Sequence, residues 1–179
     1  MDIQEIHSLL LEKFGDAAVG AAPFDATDPW IQVNPDSIVE VGTFLRDNER
    51  LRFDHLNDLC GCDYLEPNEK KLAKFGHDPH VEVVYQLSSI ELKHRLKLKV
   101  ILPRWKNDEE GQLPEIPSVS SVWGIADWHE REAYDLVGIH FQDHPNLRRI
   151  LCPEDWEGHA LRKDYDFPLE YQAFEDGKS

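Results

Sequence analysis

The chain has 179 residues, which suits a single domain, and its 35 acidic against 19 basic residues give a formal net charge of −16 at pH 7. A surface of that sign repels a phosphate backbone, so nucleic-acid binding is not expected. No apolar run approaches the roughly 20 residues of a membrane-spanning helix, and the N-terminal segment carries acids where a signal peptide carries bases, which predicts a soluble and uncleaved chain.

Two helices are predicted in the N-terminal part of the chain. Asp2 and Glu5 have the spacing of a capping box, and an apolar stripe with helical period follows them. Asn34, with a proline after it, can cap a second helix that is expected to end near Asp47. Gly42 inside this second helix predicts a close packing contact, because a glycine there otherwise only weakens the helix.

The next part of the chain is expected to be rich in strands. A brief strand is predicted at residues 30–33, and residues 51–64 are expected to form a strand followed by the loop LNDLCGCDY. Apolar and polar residues then alternate over residues 81–87 and again over residues 92–100. These two runs predict an antiparallel hairpin with its loop at residues 88–91.

The position of that loop fixes the pairing between the two strands of the hairpin. Glu82 would face Lys97, and Gln86 would face Lys93, on the solvent side of the sheet. A row of four bases alternates with apolar residues in the second run: Lys93, Arg95, Lys97 and Lys99. A solvated row that protects a sheet edge and a surface for an acidic partner explain this row equally well.

A proline-rich connector leads into the densest mixture of acids, arginines and histidines in the chain, which begins DWHEREAYDLVG. Asp127 and Glu130 repeat the capping-box spacing, and Gly138 is a suitable stop, so a helix of about three turns is expected. Arg131 and Asp135 are four residues apart and are expected to pair along this helix. The rest of the chain has no clean period, which predicts an extended segment on the surface.

A metal site is one alternative for the histidines of this region. A zincin helix needs a second histidine four residues after His129, where the chain has Ala133. Two later histidines do have a spacing of four, but the glycine before them and the proline after them make a continuous helix improbable. The candidate ligands of this alternative are His140, His144, Cys152 and His159.

No constellation for catalysis is evident in the sequence. Glu130 and Glu132 are two residues apart and fall on different faces of a helix, and no nucleophile elbow, P-loop or dinucleotide-binding glycine motif is present. Cys60, Cys62 and Cys152 make a poor disulfide framework, which favours a reducing compartment such as the cytoplasm. Catalysis by this chain alone is therefore not expected.

The C-terminal segment is rich in the residue types that dominate protein interfaces: Arg148, Arg149, Trp156, Arg162 and Tyr165. An extended segment with such anchors is typical of a tail that holds a partner. A tail that wraps its own domain has the same composition, so composition alone does not choose between these two.

Several motifs together resemble one known family. The strings EREAYDLVGI and HPNLRRIL, preceded by IPSVSSVWGIADWHERE and followed by PEDWEGHALRKDY, resemble the signature of the C-subunit family (the 30-kDa subunit family) of proton-pumping NADH:quinone oxidoreductase, respiratory complex I. The string NPDSIVEVGTFLRDN resembles the second helix of that family. The chain departs from the family pattern at three positions: Val137 replaces a common aromatic residue, Asp143 a common glycine, and Ala160 a usual proline.

The resemblance implies an α+β fold, a two-layer domain with helices on a mixed β-sheet and a long extended C-terminal segment. Residues 1–117 would form the α+β part, and residues 118–179 the signature helix and the interaction segment of the same single domain. It also implies that this chain holds no cofactor or metal and no catalytic residue. FMN, iron–sulfur clusters and quinone would be bound by neighbouring subunits.

The implied role is that of a structural and assembly subunit in the hydrophilic arm of the oxidoreductase, on the cytoplasmic face of the cell membrane. Its partners would be the quinone-site subunit and the cluster-bearing subunits. The alternative is a stand-alone metal- or thiol-dependent enzyme that uses the four candidate ligands named above. The residues expected at the subunit interface are Glu130, Arg131, Glu132, Asp135, His144, Pro145, Arg148, Arg149, Trp156, Arg162, Lys163, Asp164 and Tyr165.

Overall fold

A computed structural model describes residues 1–68, 70–71 and 76–168 of the chain. Within them lie the helices α1 (Ile3–Phe14), α2 (Ile38–Asp47) and α3 (Ala126–Val137), and the strands β1 (Ile31–Gln32), β2 (His55–Tyr64), β3 (His80–Ser88), β4 (Arg95–Pro103), β5 (Glu115–Pro117) and β6 (His140–Gln142). None of these helices is long and apolar enough to cross a membrane.

The main sheet is mixed and has the strand order β1-β4-β3-β2, with β1 parallel to β4 and the other neighbours antiparallel. A second, two-stranded sheet pairs β5 with β6 in parallel. One cluster of buried side chains joins all three helices to one face of the main sheet. The predicted α+β fold with helices on a mixed sheet is thus confirmed, and residues 143–168 contain no helix or strand, as expected of the C-terminal segment.

The N-terminal helices start as the sequence predicts. The Asp2 side chain accepts a hydrogen bond from the Glu5 N–H at 2.8 Å, and the Glu5 side chain accepts one from the Asp2 N–H at 3.0 Å. Asn34 caps a single 3-10 turn, and α2 follows directly from that turn. A Cβ atom at Gly42 would lie 3.0 Å from the Trp123 ring, which confirms the predicted close packing.

The hairpin exists, but its predicted register is wrong by four residues. Gln86 faces Lys97, and Glu82 faces Ile101. The connection is longer than expected because Lys93 adopts a left-handed backbone conformation (φ 54°), which ends the extended run, and β4 begins only at residue 95. The Ser89 N–H donates to the carbonyl oxygen of residue 94 at 3.0 Å and closes this loop.

Two further strand predictions are also corrected. Strand β4 lies between β1 and β3, so its bases do not protect a sheet edge; instead, Lys97 pairs with Asp28, and Lys99 contacts Glu82 at 2.7 Å. The expected loop LNDLCGCDY is part of the continuous strand β2, which carries a register shift between Leu56 and residue 58. Cross-strand pairing with β3 overrides the weak strand preference of its Asn, Asp and Gly residues.

Candidate subunit interface

Helix α3 begins without the capping box that the sequence predicts. Ile125 is the N-cap residue, it has helical backbone angles, and no side chain caps the helix. Glu130 faces the protein interior, where its carboxylate accepts hydrogen bonds from Ser118 Oγ at 2.6 Å and from the Val119 N–H at 2.7 Å. The spacing of Asp127 and Glu130 was therefore misleading, because partners from outside the helix compete for Glu130.

Glu130 and Asp135 are the most deeply buried acids of this helix, and neither has exposed surface. Burial raises the pKa of its carboxyl to about 7, although the hydrogen bonds from Ser118 and Val119 act in the opposite direction. The His144 side chain is also fully buried, with Nε2 at 3.8 Å from Glu130 Oε2. These contacts attach the segment before α3 and the segment after β6 to the same carboxylate.

The imidazole of His144 is held as one tautomer. Its Nδ1 accepts a hydrogen bond from the Asn146 N–H at 3.0 Å, so Nδ1 carries no proton. The proton on Nε2 is then directed at the Asp127 carbonyl oxygen, 3.1 Å away. Because both ring nitrogens have partners within the chain, this geometry gives His144 a positioning role.

Asp135 binds the start of the C-terminal segment. Its Oδ2 accepts hydrogen bonds from three successive backbone N–H groups, those of residues 150, 151 and 152, at 3.0, 2.7 and 2.9 Å, and Arg149 Nη1 donates to its Oδ1 at 2.7 Å. Burial raises the pKa of the Asp135 carboxyl, but the backbone N–H groups and the Arg149 guanidinium together outweigh that effect and hold the pKa below its usual value.

The predicted pairing of Arg131 with Asp135 is wrong. Arg131 Nε lies 3.2 Å from Asp127 Oδ1, and its guanidinium lies over the Trp128 ring at 4.3 Å. A long helical side chain leans toward the N-terminus of its helix, which favours the acid four residues before Arg131. Arg149 makes one contact to a carboxylate oxygen, that of Asp135, and its Nη2 donates to the Gly158 carbonyl oxygen at 2.7 Å.

Arg162 closes the C-terminal end of α3. Gly138 has the left-handed conformation typical of a helix end (φ 73°, ψ 60°). Arg162 Nε donates to the Val137 carbonyl oxygen at 2.6 Å, and its Nη2 donates to the Gly138 carbonyl oxygen at 3.2 Å. A cation at these carbonyl groups also interacts favourably with the helix dipole. Burial lowers the pKa of Arg162, and its guanidinium lies 4.5 Å from the Trp105 ring centre.

A second buried ion pair fastens the C-terminal segment to the main sheet. Arg104 donates two hydrogen bonds to Asp63, at 2.8 and 2.9 Å, and two to Asp164, at 3.1 and 2.7 Å. The Lys163 N–H adds a bond to Asp63 Oδ2 at 2.9 Å. Sequence reasoning missed Asp63, Arg104, Ser118 and Val119, since no local spacing links residues that are far apart in the chain.

We call the contacts around Asp135 and Asp63 the clasp. Of the residues expected at a subunit interface, those with buried side chains serve the interior of this chain: Glu130, Arg131, Asp135, His144 and Arg162. The exposed members of the same set are Glu132, Pro145, Arg148, Lys163 and Asp164. Trp156 stacks on Tyr165 with ring centres 6.3 Å apart, and Tyr165 donates to the Glu157 carbonyl oxygen at 3.0 Å.

The four candidate metal ligands do not converge. His140 is exposed, whereas His159 Nδ1 lies 2.9 Å from the Asp135 carbonyl oxygen and His144 contacts Asp127. Among the residues with a described position, no group of three or more His, Cys, Asp or Glu side chains could hold a metal ion. The ligand set of the stand-alone enzyme hypothesis is thus not assembled in this part of the chain.

The fold and the clasp define a two-layer α+β protein whose irregular C-terminal segment is fixed to the domain by buried charged groups. Residues 31–171 match the family model described as respiratory-chain NADH dehydrogenase, 30 Kd subunit. The chain therefore belongs to this family of oxidoreductase subunits.

Curated relatives agree with this assignment. The NADH-quinone oxidoreductase C-subunit of Roseiflexus sp. (strain RS-1) is 45% identical over 159 residues, which is 89% of this chain and 81% of that protein. Its counterpart from Roseiflexus castenholzii is 43% identical, over 97% of this chain and 90% of that protein. A chain in the structure of the membrane-bound sulfane sulfur reductase, an archaeal respiratory membrane complex, shares the fold with a TM-score of 0.63, at 21% identity and 98% coverage of both chains.

Proposed function

We propose that this chain is a non-catalytic structural and assembly subunit in the hydrophilic arm of a proton-translocating NADH:quinone oxidoreductase. The named relatives, which are C-subunits of NADH-quinone oxidoreductases, support this role. In this proposal FMN, the iron–sulfur clusters and quinone are held by neighbouring subunits, and electrons pass from NADH to quinone without entering this chain.

The observation that carries the proposal is the way in which the clasp presents the C-terminal segment. Asp135 and Asp63 fix its backbone at two places, and three large apolar side chains of the same segment point away from the domain. Leu151, Leu161 and Phe167 are 61%, 56% and 60% exposed. A backbone that is ordered before binding loses less conformational entropy on association, so these side chains are preorganised anchors for a partner.

The charges beside these anchors suggest the character of the partner surface. Arg148 and Lys163 are exposed and basic in a chain whose net charge is −16. They would meet carboxylates on the quinone-site subunit and the cluster-bearing subunits, next to apolar pockets that take the anchors. The assembled chain would lie on the cytoplasmic face of the cell membrane as a peripheral part of the complex.

Substitution of one anchor tests this role. We expect Leu151→Ser to weaken co-purification of the neighbouring subunits with the tagged chain by about tenfold, the effect of losing roughly 1.4 kcal/mol of contact energy. Ile90→Ser is the matched control, because Ile90 is 69% exposed but lies in the β3–β4 loop, away from the C-terminal segment. Equal recovery of partners with both variants would contradict the proposal.

A further inference from the structure

The thiols of Cys60 and Cys62 lie side by side on β2. Alternation along the strand directs them to the same face of the sheet, opposite to the core residue Leu59. Across the strand pair they stand next to Val84 and Glu82 of β3. Both cysteines are free and half-buried, and their side chains are close enough to form a hydrogen bond with each other.

The surroundings of the two thiols decide which one carries negative charge. The pKa of the Cys60 thiol is raised by its hydrogen bond to Cys62, by burial, and by the carboxylates of Asp58 and Glu132. Asp58 lies on the same strand, and Glu132 lies on α3. Cys60 is therefore held as the protonated partner, and it donates its S–H to Cys62.

Cys62 has the opposite environment. The hydrogen bond from Cys60 lowers the pKa of the Cys62 thiol to about 7; burial and Glu82 raise it, and Lys99 on β4 and Lys163 in the C-terminal segment lower it. A thiolate next to a hydrogen-bond donor and two ammonium groups is the environment typical of a reactive cysteine. The negative charge of the pair therefore resides on Cys62.

Small molecules can reach Cys62 through an open cavity of about 660 Å³ beside the edge of the sheet. Cys62 and Lys163 contribute to its wall together with residues 63–67 and Leu161. A half-buried thiolate at the wall of an open cavity is accessible to a peroxide, which requires little room. The proposed assembly role uses Leu161 and Lys163 of this wall but neither of the two thiols.

We propose that Cys62 is an oxidative modification site for hydroperoxides, with Cys60 as the resolving thiol. The Cys62 thiolate attacks one peroxide oxygen, the O–O bond breaks, and the products are Cys62 sulfenic acid and an alcohol or water. The Cys60 thiol then attacks the sulfenic sulfur, an S–S bond forms, and water leaves. The peroxide is the oxidant, and the two thiols together supply two electrons.

The disulfide formed in this way is strained and easily reduced. Two residues along an extended strand separate the Cα atoms by about 6.6 Å, near the upper limit of about 6.8 Å for disulfides, and strained bridges are the labile ones. Asp63 follows Cys62 directly and holds Arg104 and the Lys163 N–H, so oxidation would disturb the clasp at that point. Reduction by a thiol would restore it.

The lowered pKa of the Cys62 thiol affects its reaction rate. More of this thiol is ionised at pH 7 than at the ordinary pKa of 9.0, and the thiolate is the nucleophile. Cys62 should therefore react faster than the other thiols of the chain. Cys152 is the internal control, because burial and Asp135 raise the pKa of its thiol.

Treatment of the full-length chain with hydrogen peroxide, followed by mass spectrometry and peptide mapping, tests the proposal. The wild-type chain and Cys152→Ser should form a Cys60–Cys62 disulfide that dithiothreitol reverses. Cys60→Ser should stop at a sulfenic acid on residue 62 that dimedone traps, and Cys62→Ser should react at least about fivefold more slowly. The proposal is overturned if residues 60, 62 and 152 react at equal rates in the wild-type chain, or if Cys62→Ser reacts as fast as wild type while retaining its fold by circular dichroism.

Discussion

Replacement of Glu130 by glutamine should remove a pH dependence from the stability of this protein. The carboxyl of Glu130 has a pKa of about 7 in the folded chain against an ordinary value of 4.5, because burial disfavours its charged form. Between these two pH values the native state binds a proton that the unfolded chain has already released. The free energy of unfolding therefore falls as the pH rises through this window, and the loss is complete at about pH 8, one unit above the folded-state pKa.

The size of this pH effect on stability follows from the change in the pKa of Glu130 on folding. A change from 4.5 to about 7 corresponds to about 3 kcal/mol. Glutamine has the same shape and no charge, and its amide can accept from the Val119 N–H and donate to Ser118 Oγ. The stability of Glu130→Gln relative to wild type should thus increase by about 2.5 kcal/mol between about pH 5 and about pH 8, the part of that change that falls within this range.

Urea unfolding of both proteins across this pH range measures the difference directly, and other titrating groups cancel because both proteins share them. The matched control is Glu132→Gln, which removes the same charge from the exposed face of α3 and should track wild type within about 0.5 kcal/mol. Parallel stability curves for wild type and Glu130→Gln would refute the assignment of a raised pKa to Glu130.

Three further substitutions test the clasp and the turn before it. Arg149→Ala leaves Asp135 with its backbone partners but without its cation. We therefore expect thermal unfolding to show a decrease of about 2 kcal/mol in the free energy of unfolding. An unchanged melting temperature would contradict the stabilising role of this ion pair. Gly138→Ala should lower the free energy of unfolding, measured by urea titration, by at least about 2 kcal/mol. The reasons are the backbone angle φ of 73° at this position and the new Cβ, which would lie 2.4 Å from the His159 ring. Wild-type stability of this variant would mean that the helix end rearranges freely. Asp143 has a φ of 58°, in the left-handed region that glycine adopts most easily. Asp143→Gly should therefore raise the free energy of unfolding by about 0.5 kcal/mol in the same titration. A decrease of more than that size would show that the Asp143 side chain makes a needed contact.

Local signals predicted the elements that depend on near neighbours. The capping box at Asp2 and Glu5 formed as expected, because both partners lie within one turn and nothing else competes for them. The same spacing failed at Asp127 and Glu130, since Ser118 and Val119 approach from outside the helix and bind Glu130. A spacing rule does not include such a competitor.

The register of the hairpin shows a second limit of sequence reasoning. Alternation identified both strands, but the register depends on the backbone of a single residue, Lys93, which takes a positive φ that its residue type does not signal. The family signature likewise indicated which charged residues matter without showing which face inward. Only the fold brings Asp63 to Arg104 and turns Asp135 toward residues 150–152.

The structure explains why the chain can depart from the family pattern at Asp143. The family resemblance places a glycine at this position, and the structure gives Asp143 the left-handed backbone that glycine favours. Aspartate is among the few other residues that adopt this conformation at modest cost. The turn before His144 is thereby kept, and His144 still reaches the Asp127 carbonyl oxygen.

The most direct test of the proposed role separates assembly from catalysis with a charge reversal at Arg148. This side chain is exposed and makes no hydrogen bond or ion pair within the described parts of the chain, whereas its neighbour Arg149 is held by Asp135. With Arg148→Glu in the oxidoreductase complex, we expect less assembled complex on native gels, an unchanged melting temperature of the isolated chain, and wild-type NADH:quinone turnover per assembled complex. A normal amount of complex whose turnover is lost would contradict a purely structural role for this chain.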